Sequence, residues 1–221
     1  MDELFKKLFV LGMPGSGKST IAQKIKQHVQ QMTGWDACHV SDYEILARLF
    51  REQRNRFLPA PYDGFTIRDP TLYKEVLQKL EEQVKGMERN AAPGRNRLVL
   101  IEFARCNYQP AFRAFSPDFL KDASFLFLDV DIKICQGRVV QRVHKPKNEK
   151  TSSDCFVPRG VFRRYHLSEN SQYFRHDFRG EYGMPESRLK IITNDDPLRE
   201  ALAEINMFVD DVLEEVPVLV R

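Results

Sequence analysis

Little in this chain points to metal scaffolds, disulfides or membranes. The four cysteines, Cys38, Cys106, Cys135 and Cys155, stand singly with no Cys-x-x-Cys, and the five histidines form no ligand spacing. That argues against a structural zinc site and predicts reduced thiols in a cytoplasmic setting. Nowhere do about 18 apolar residues run together, so no membrane-spanning helix and no membrane partner are expected. The apolar stretch near the start is only a few residues long and leads straight into a glycine-rich turn, which reads as a strand rather than a signal peptide. A net charge of +3 is too small to imply nucleic acid by itself. There is no internal repeat and no low-complexity segment. What remains is 221 residues with 42% hydrophobic content, sufficient for one core in a single domain spanning 1–221.

Against these absences stands Gly12-Met13-Pro14-Gly15-Ser16-Gly17-Lys18-Ser19. A glycine, four residues and then Gly-Lys-Ser is the P-loop pattern, here preceded by the apolar run Leu8-Phe9-Val10-Leu11 and followed by helix-like Thr20-Ile21-Ala22-Gln23. Glycines let consecutive N–H groups face one phosphate, and the following helix adds its partial positive charge. The pattern places Lys18 at the β- and γ-phosphates and the Ser19 hydroxyl on Mg²⁺. Gly12, Pro14, Gly15, Ser16, Gly17, Lys18, Ser19 and Thr20 are therefore the candidate nucleotide-binding residues, and ATP or GTP with Mg²⁺ the expected ligand.

Apolar runs alternate with helical periodicity along the rest of the chain. Residues 37–40, 97–103, 125–130 and 190–193 read as further strands, and 51–70 as irregular chain. Helices are expected through 43–50, 72–84, 131–145, 159–170 and about 197–215. Five strands separated by helices imply an α/β fold with a parallel sheet, buried on both faces. Ligands bind beyond the carboxyl ends of such strands. The P-loop, Asp42, Glu102, Arg105 and Asn194 all follow strand ends and should converge on one rim.

Asp42 can orient an acceptor hydroxyl, accept its proton or hold a metal-bound water, or simply cap the next helix. Glu102 ends an apolar strand like a Walker B acid, taking a metal water or a substrate group, with Asp129 a rival for that role and Asp131 a helix cap. Arg105 suits phosphate or carboxylate. Arg138 and Arg142, one helical turn apart, open the polar stretch 146–158, with Arg159, Arg163 and Arg164 beyond it. A solvated surface is the plain reading of that stretch and a mobile basic lid over the phosphates the functional one. Arg51, Arg54 and Arg56 interleave with Phe57, Tyr62 and Phe65. From these, Arg54 and Phe65 are candidate substrate contacts, and a loop anchored to the core is the alternative. Cys106 lies near the site and reads as an inert thiol unless its surroundings activate it.

With these residues in hand, the chain resembles the small P-loop kinases. They include nucleoside monophosphate kinases, shikimate and gluconate kinases, adenylylsulfate kinase, deoxynucleoside kinases and polynucleotide 5′-kinases. The resemblance implies a three-layer P-loop NTPase fold with sheet order 2-3-1-4-5. It also implies a substrate-binding insertion at 43–92, an arginine-bearing lid at 138–164, and an adenine-contacting loop at Thr193-Asn194-Asp195-Asp196. Lys18, Asp42, Arg105, Arg138 and Arg142 become the expected catalytic residues, Asp42, Arg54, Phe65, Glu102 and Arg105 the substrate contacts, and Ser19 and Glu102 the metal contacts. Glu102-Phe103-Ala104-Arg105 lacks the Asp-Gly-Phe/Tyr-Pro-Arg of nucleoside monophosphate kinases, and no subfamily is matched. The expectation is transfer of the γ-phosphoryl of ATP to a small anionic or nucleotide-like acceptor. The alternatives are a nucleic-acid 5′-end kinase, for which nucleic acid is compatible but not required, or a nucleotide-dependent regulatory NTPase. The acceptor and the oligomeric state stay open.

Overall fold

The computed structural model describes residues 4–62, 64–91, 94–145, 156–193 and 198–214. Five strands form one parallel sheet: β1 (Phe5–Gly12), β2 (Asp36–Ser41), β5 (Arg97–Phe103), β6 (Ala123–Asp129) and β7 (Leu189–Thr193). Between β2 and β5 the chain also forms β3 (Phe57–Ala60) and β4 (Gly64–Ile67), an antiparallel hairpin outside the sheet. The sheet order is β2-β5-β1-β6-β7. Sequence periodicity implies five strands with 51–70 irregular, and the resemblance implies the order 2-3-1-4-5; the structure adds the two hairpin strands, β3 and β4, ahead of the third sheet strand. Prolines 59 and 61 hid the hairpin, because proline is tolerated only at sheet edges, and this hairpin is all edge.

Helices cover both faces of the sheet. Helix α1 (Lys18–Met32) buries Ile21, Ala22, Ile25 and Val29 on one face, where α6 (Ile132–Val143), α7 (Arg159–His166) and α10 (Leu198–Glu214) also pack. Helices α2 (Asp42–Glu52), α3 (Leu72–Arg89), α4 (Tyr108–Phe112) and α5 (Pro117–Lys121) cover the other. There the chain also continues through α8 (Asn170–Gln172), a π-turn at Tyr173–Asp177 and α9 (Phe178–Glu181). No helix among the described residues is long and apolar enough to cross a membrane.

Strand alternation sorts the side chains between two cores. Leu98 and Leu100 point to the α1 face, whereas Val99, Ile101 and Phe103 point to the opposite one. The second face is filled largely with phenylalanine. Phe9 stacks on Phe125 at 5.0 Å and 4° and meets Phe103, Phe112, Phe115 and Phe119 edge-on. These offset and edge-to-face geometries are the ones ring quadrupoles favour. A close-packed aromatic slab of this kind gives the loops at the strand ends a rigid base.

The hairpin is pinned by one side chain. Arg56 donates to Asp69 at 2.8 Å, Glu75 at 2.8 Å, Gln53 at 2.9 Å and Thr71 at 3.0 Å. Four of its five N–H donors are held by these groups, so it ties the hairpin to the start of α3.

Candidate active site

The P-loop takes the shape its glycines permit. Gly12, Gly15 and Gly17 have φ of 145°, 88° and 95°, which side chains resist. A Cβ on Gly15 would sit 2.3 Å from the Cys135 carbonyl oxygen, and one on Gly12 would sit 2.6 Å from Ser16 Oγ. The backbone is left concave, as a phosphate cradle requires. Gly17 precedes α1 without a side-chain cap, so the first N–H groups of that helix stay available to an anion. Lys18 is only 6% exposed, and its Nζ donates to Met13 O at 2.9 Å. Burial pushes its ammonium below the ordinary lysine value, with the Glu102 charge opposing and the Arg142 charge adding to the shift. Pro14, Gly15, Gly17, Ser19 and Thr20 line a cleft together with Lys18. Gly12 and Ser16 are buried beneath it.

Glu102 stands beside Ser19. Being on the same side of β5 as Leu98 and Leu100, it points toward α1, where Ser19 Oγ donates to its Oε1 at 3.0 Å. His39 Nε2 meets the other carboxylate oxygen at 3.0 Å. Burial alone would raise the Glu102 pKa. The His39 hydrogen bond, the Lys18 charge and the Ser19 hydroxyl together hold it below the ordinary carboxylate value. The stability this ionised group contributes is therefore present above pH 4.5 and is lost as pH falls through the lowered value. Two hard oxygen donors, an alcohol and an ionised carboxylate, suit Mg²⁺, which completes its shell with phosphate oxygens and water. Asp129 is excluded from this role by parity. It follows Phe125 and Phe127 on the opposite face of β6, and its carboxylate takes Ser171 Oγ at 2.6 Å and Arg175 at 2.9 Å. Asp131 caps α6 as expected, accepting from Lys133 N–H at 2.7 Å.

Asp42 opens α2, but it does not cap it. Ser41 does, accepting from Tyr43 N–H at 3.2 Å, which frees the Asp42 carboxylate to pair with Arg105. Both are almost fully buried. Arg105 also donates to Ala104 O at 2.8 Å and Tyr73 O at 3.3 Å, and lies 5.5 Å over the Tyr73 ring. Its Nε has no partner. Burial pushes the Asp42 carboxyl above its ordinary value. Arg105 pulls it down and the nearby Glu102 adds to the rise. A raised carboxylate is a stronger base than a surface one, which suits proton acceptance from a hydroxyl.

Sequence reasoning missed Tyr108. Its side chain is fully buried, and its hydroxyl accepts from Gly12 N–H at 2.8 Å. The hydroxyl hydrogen is shared between Gly12 O and Phe103 O, each at 3.0 Å. Asn170 holds Tyr108 N–H at 3.0 Å and Cys106 O at 3.1 Å. The first P-loop glycine is thus tied to the end of β5 and, through Asn170, to α8. No local pattern marks a tyrosine 96 residues from its partner. Tyr108→Phe should cost about 1–3 kcal/mol, because buried backbone groups lose their partner. Urea unfolding checks this, and the same variant should bind ATP more weakly by isothermal titration.

Lys18, Ser19, His39, Asp42, Glu102 and Arg105 line one cleft of about 1340 Å³. Arg138, Arg142, Lys145 and Arg164 line it on the α6–α7 side, and Tyr43, Phe65 and Tyr73 on the hairpin side. Cys106 also lines it, but burial raises its thiol, as an inert cysteine requires. Arg54 does not line the cleft. It lies exposed, 5.5 Å over the Phe50 ring, because the turn before β3 carries it to the outer side of the hairpin. Asn194 and the expected lid stretch 146–155 lie outside the described residues.

No protein-family model and no curated protein sequence matches the chain. Solved structures share its fold. A Janibacter sugar kinase, solved unliganded, is 18% identical over 93% of this chain and 95% of its own, with a TM-score of 0.51. Chaetomium thermophilum Kti12 in complex with ADP-AlF3 is 12% identical over 95% of this chain and 100% of its own, with a TM-score of 0.56. The chain is therefore similar in fold to a sugar kinase and to Kti12, an α/β arrangement with a five-stranded parallel sheet.

Proposed function

We propose that the protein is an ATP-dependent phosphotransferase acting on a small anionic acceptor. One observation carries the reading. The cleft that begins at the P-loop continues past Asp42 and Arg105 to the hairpin aromatics, and at about 1340 Å³ it exceeds the roughly 300–1,000 Å³ of a single-ligand pocket. A nucleotide-dependent switch needs no such added space, whereas a kinase must hold donor and acceptor together.

In this reading the glycine turn and the α1 N-terminus hold the phosphates, and Lys18 leaves Met13 O to bind the β- and γ-phosphoryl oxygens. Mg²⁺, when bound at Ser19 and Glu102, supplies positive charge to the phosphate oxygens. His39 orients Glu102. Asp42 accepts the acceptor's proton, and Arg105 positions Asp42 and offers an Nη2 N–H to an anionic group. Arg138 and Arg142 neutralise charge on the transferred phosphoryl group, with 138–164 acting as the lid and 43–92 as the acceptor-binding insertion. The sugar kinase and the ADP-AlF3 complex among the structural neighbours are compatible with this chemistry. The single thiols and the ATP requirement fit a cytoplasmic setting.

The test is phosphate transfer from γ-labelled ATP to a panel of metabolites, nucleotides and oligonucleotide 5′ ends, in the presence of Mg²⁺. Transfer to a small acceptor upholds the reading. ATP turnover that no acceptor stimulates assigns the protein to the regulatory class instead.

A further inference from the structure

Beyond Asp42 and Arg105 the cleft changes character. Its wall is a pair of stacked rings, Tyr43 and Phe65, with centroids 5.8 Å apart and 9° from parallel. Phe65 is backed by Phe50 at 4.8 Å and 27°, and wedged edge-on by the buried Phe57 at 5.2 Å and 83°. The Phe65 ring cannot turn aside without displacing that buried neighbour, so the platform exists before any ligand arrives. Tyr73 adds a third ring to the lining. Ile67, Leu77 and Ala111 continue the apolar surface.

This lining bears on what the acceptor is. A sugar or polyol carries a hydroxyl on nearly every carbon, and each one buried needs a hydrogen-bond partner. Ring faces and aliphatic side chains supply none; the polar groups beside them are the Tyr43 and Tyr73 hydroxyls, Glu44, Thr66 and Asn107, and the buried carboxylate, Asp42, is already engaged by Arg105. A planar heteroaromatic ring, by contrast, gains from every face presented to it. Lys74 and Arg113 line the same cleft. Arg113 has a long pairing with Glu181 at 3.6 Å, on a side chain 66% exposed, so both cations match an acceptor that also carries negative charge.

We infer that the acceptor is a nucleoside-type small molecule, its planar ring packed against Tyr43 and Phe65 and its charge matched by Arg105, Lys74 and Arg113. This rests on the phosphotransferase reading for the role of Asp42. The ring site itself is testable apart from turnover.

The experiment is equilibrium binding to the full chain with the P-loop saturated by a non-hydrolysable ATP analogue and Mg²⁺. The probes are nucleosides, nucleoside 5′-monophosphates, gluconate, a pentose 5-phosphate and a short oligonucleotide. Nucleoside-type probes should bind and the polyols should not. Phe65→Leu, similar in bulk but without a ring, should weaken nucleoside-type binding about tenfold or more, with the affinity for the ATP analogue unchanged. Phe65→Trp should keep most of the affinity, which separates loss of the ring from loss of the fold. Polyol binding equal to or tighter than nucleotide binding overturns the proposal. So does indifference to Phe65→Leu in a folded protein, or an oligonucleotide that binds where mononucleotides do not. Ring-dependent binding without transfer from labelled ATP would sink the kinase reading and leave the ring site standing. Transfer to polyols alone would do the reverse.

Discussion

Lys18→Ala should reduce phosphoryl transfer by more than about 10²-fold, the cost of removing one preorganised charge from a water-excluded site. The structure adds a second expectation. Lys18 is buried with a single carbonyl partner, Met13 O at 2.9 Å, and burial depresses its pKa. Holding that ammonium in the fold costs stability. The cost is fully present below the depressed value and is relieved as pH rises from there toward 10.5, because only the unfolded chain is then protonated. Lys18→Ala should therefore leave the nucleotide-free protein as stable as the parent or more so, and should abolish its alkaline gain in stability. Thermal melts across pH, alongside transfer assays, read both effects. Near-normal turnover in a folded Lys18→Ala protein would remove the P-loop assignment. A large fall in melting temperature would show that Lys18 is structural here.

Asp42→Asn should lower kcat by about 10²–10⁴-fold, the range for a lost general base, and should leave ATP affinity nearly untouched. Burial raises the Asp42 carboxyl, so the acid limb of the parent's kcat profile should lie above the ordinary carboxylate value of 3.8 and should vanish in the variant. Stability runs the opposite way. Between 3.8 and the raised value the folded chain holds a proton that the unfolded chain has lost, so stability falls as pH rises through that window. The variant should lack this fall. It also leaves the buried Arg105 charge without its counter-ion, at a cost of about 3–5 kcal/mol if nothing replaces it. Circular dichroism and urea titration separate this loss from the catalytic one. A variant whose ATP affinity collapses while acceptor turnover survives would move Asp42 out of the acceptor site.

The glycine turn and the strand–helix alternation were legible in the chain because they are local. Gly12, Gly15 and Gly17 occupy conformations that exclude side chains, so their spacing declares the turn, and the apolar run and helix on either side complete it. The strand 97–103 is announced by its continuous apolar run Leu98-Val99-Leu100-Ile101, as buried parallel strands are. The convergence of Asp42, Glu102 and Arg105 followed from one rule, that strands of a parallel sheet deliver their carboxyl ends to the same rim. The hairpin did not show, since two four-residue strands, the first broken by Pro59, carry no periodicity to read.

What tertiary structure alone decided is which side each strand end faces and who meets it there. Glu102 and Asp129 both close apolar strands, and with both faces of the sheet buried no alternation distinguishes them in the sequence. Packing turns Glu102 toward α1 and Ser19, and Asp129 toward Arg175. The same holds for Arg54 and Phe65, which the hairpin sends to different sides, one exposed over Phe50 and the other into the cleft. It holds also for Tyr108, whose hydroxyl finds Gly12 only because a slab of phenylalanine brings β1, β5 and α4 together. A residue's type and neighbours determine what it can do. Partners far away in the chain determine what it does, because hydrogen bonds and burial depend on distance in space rather than in sequence.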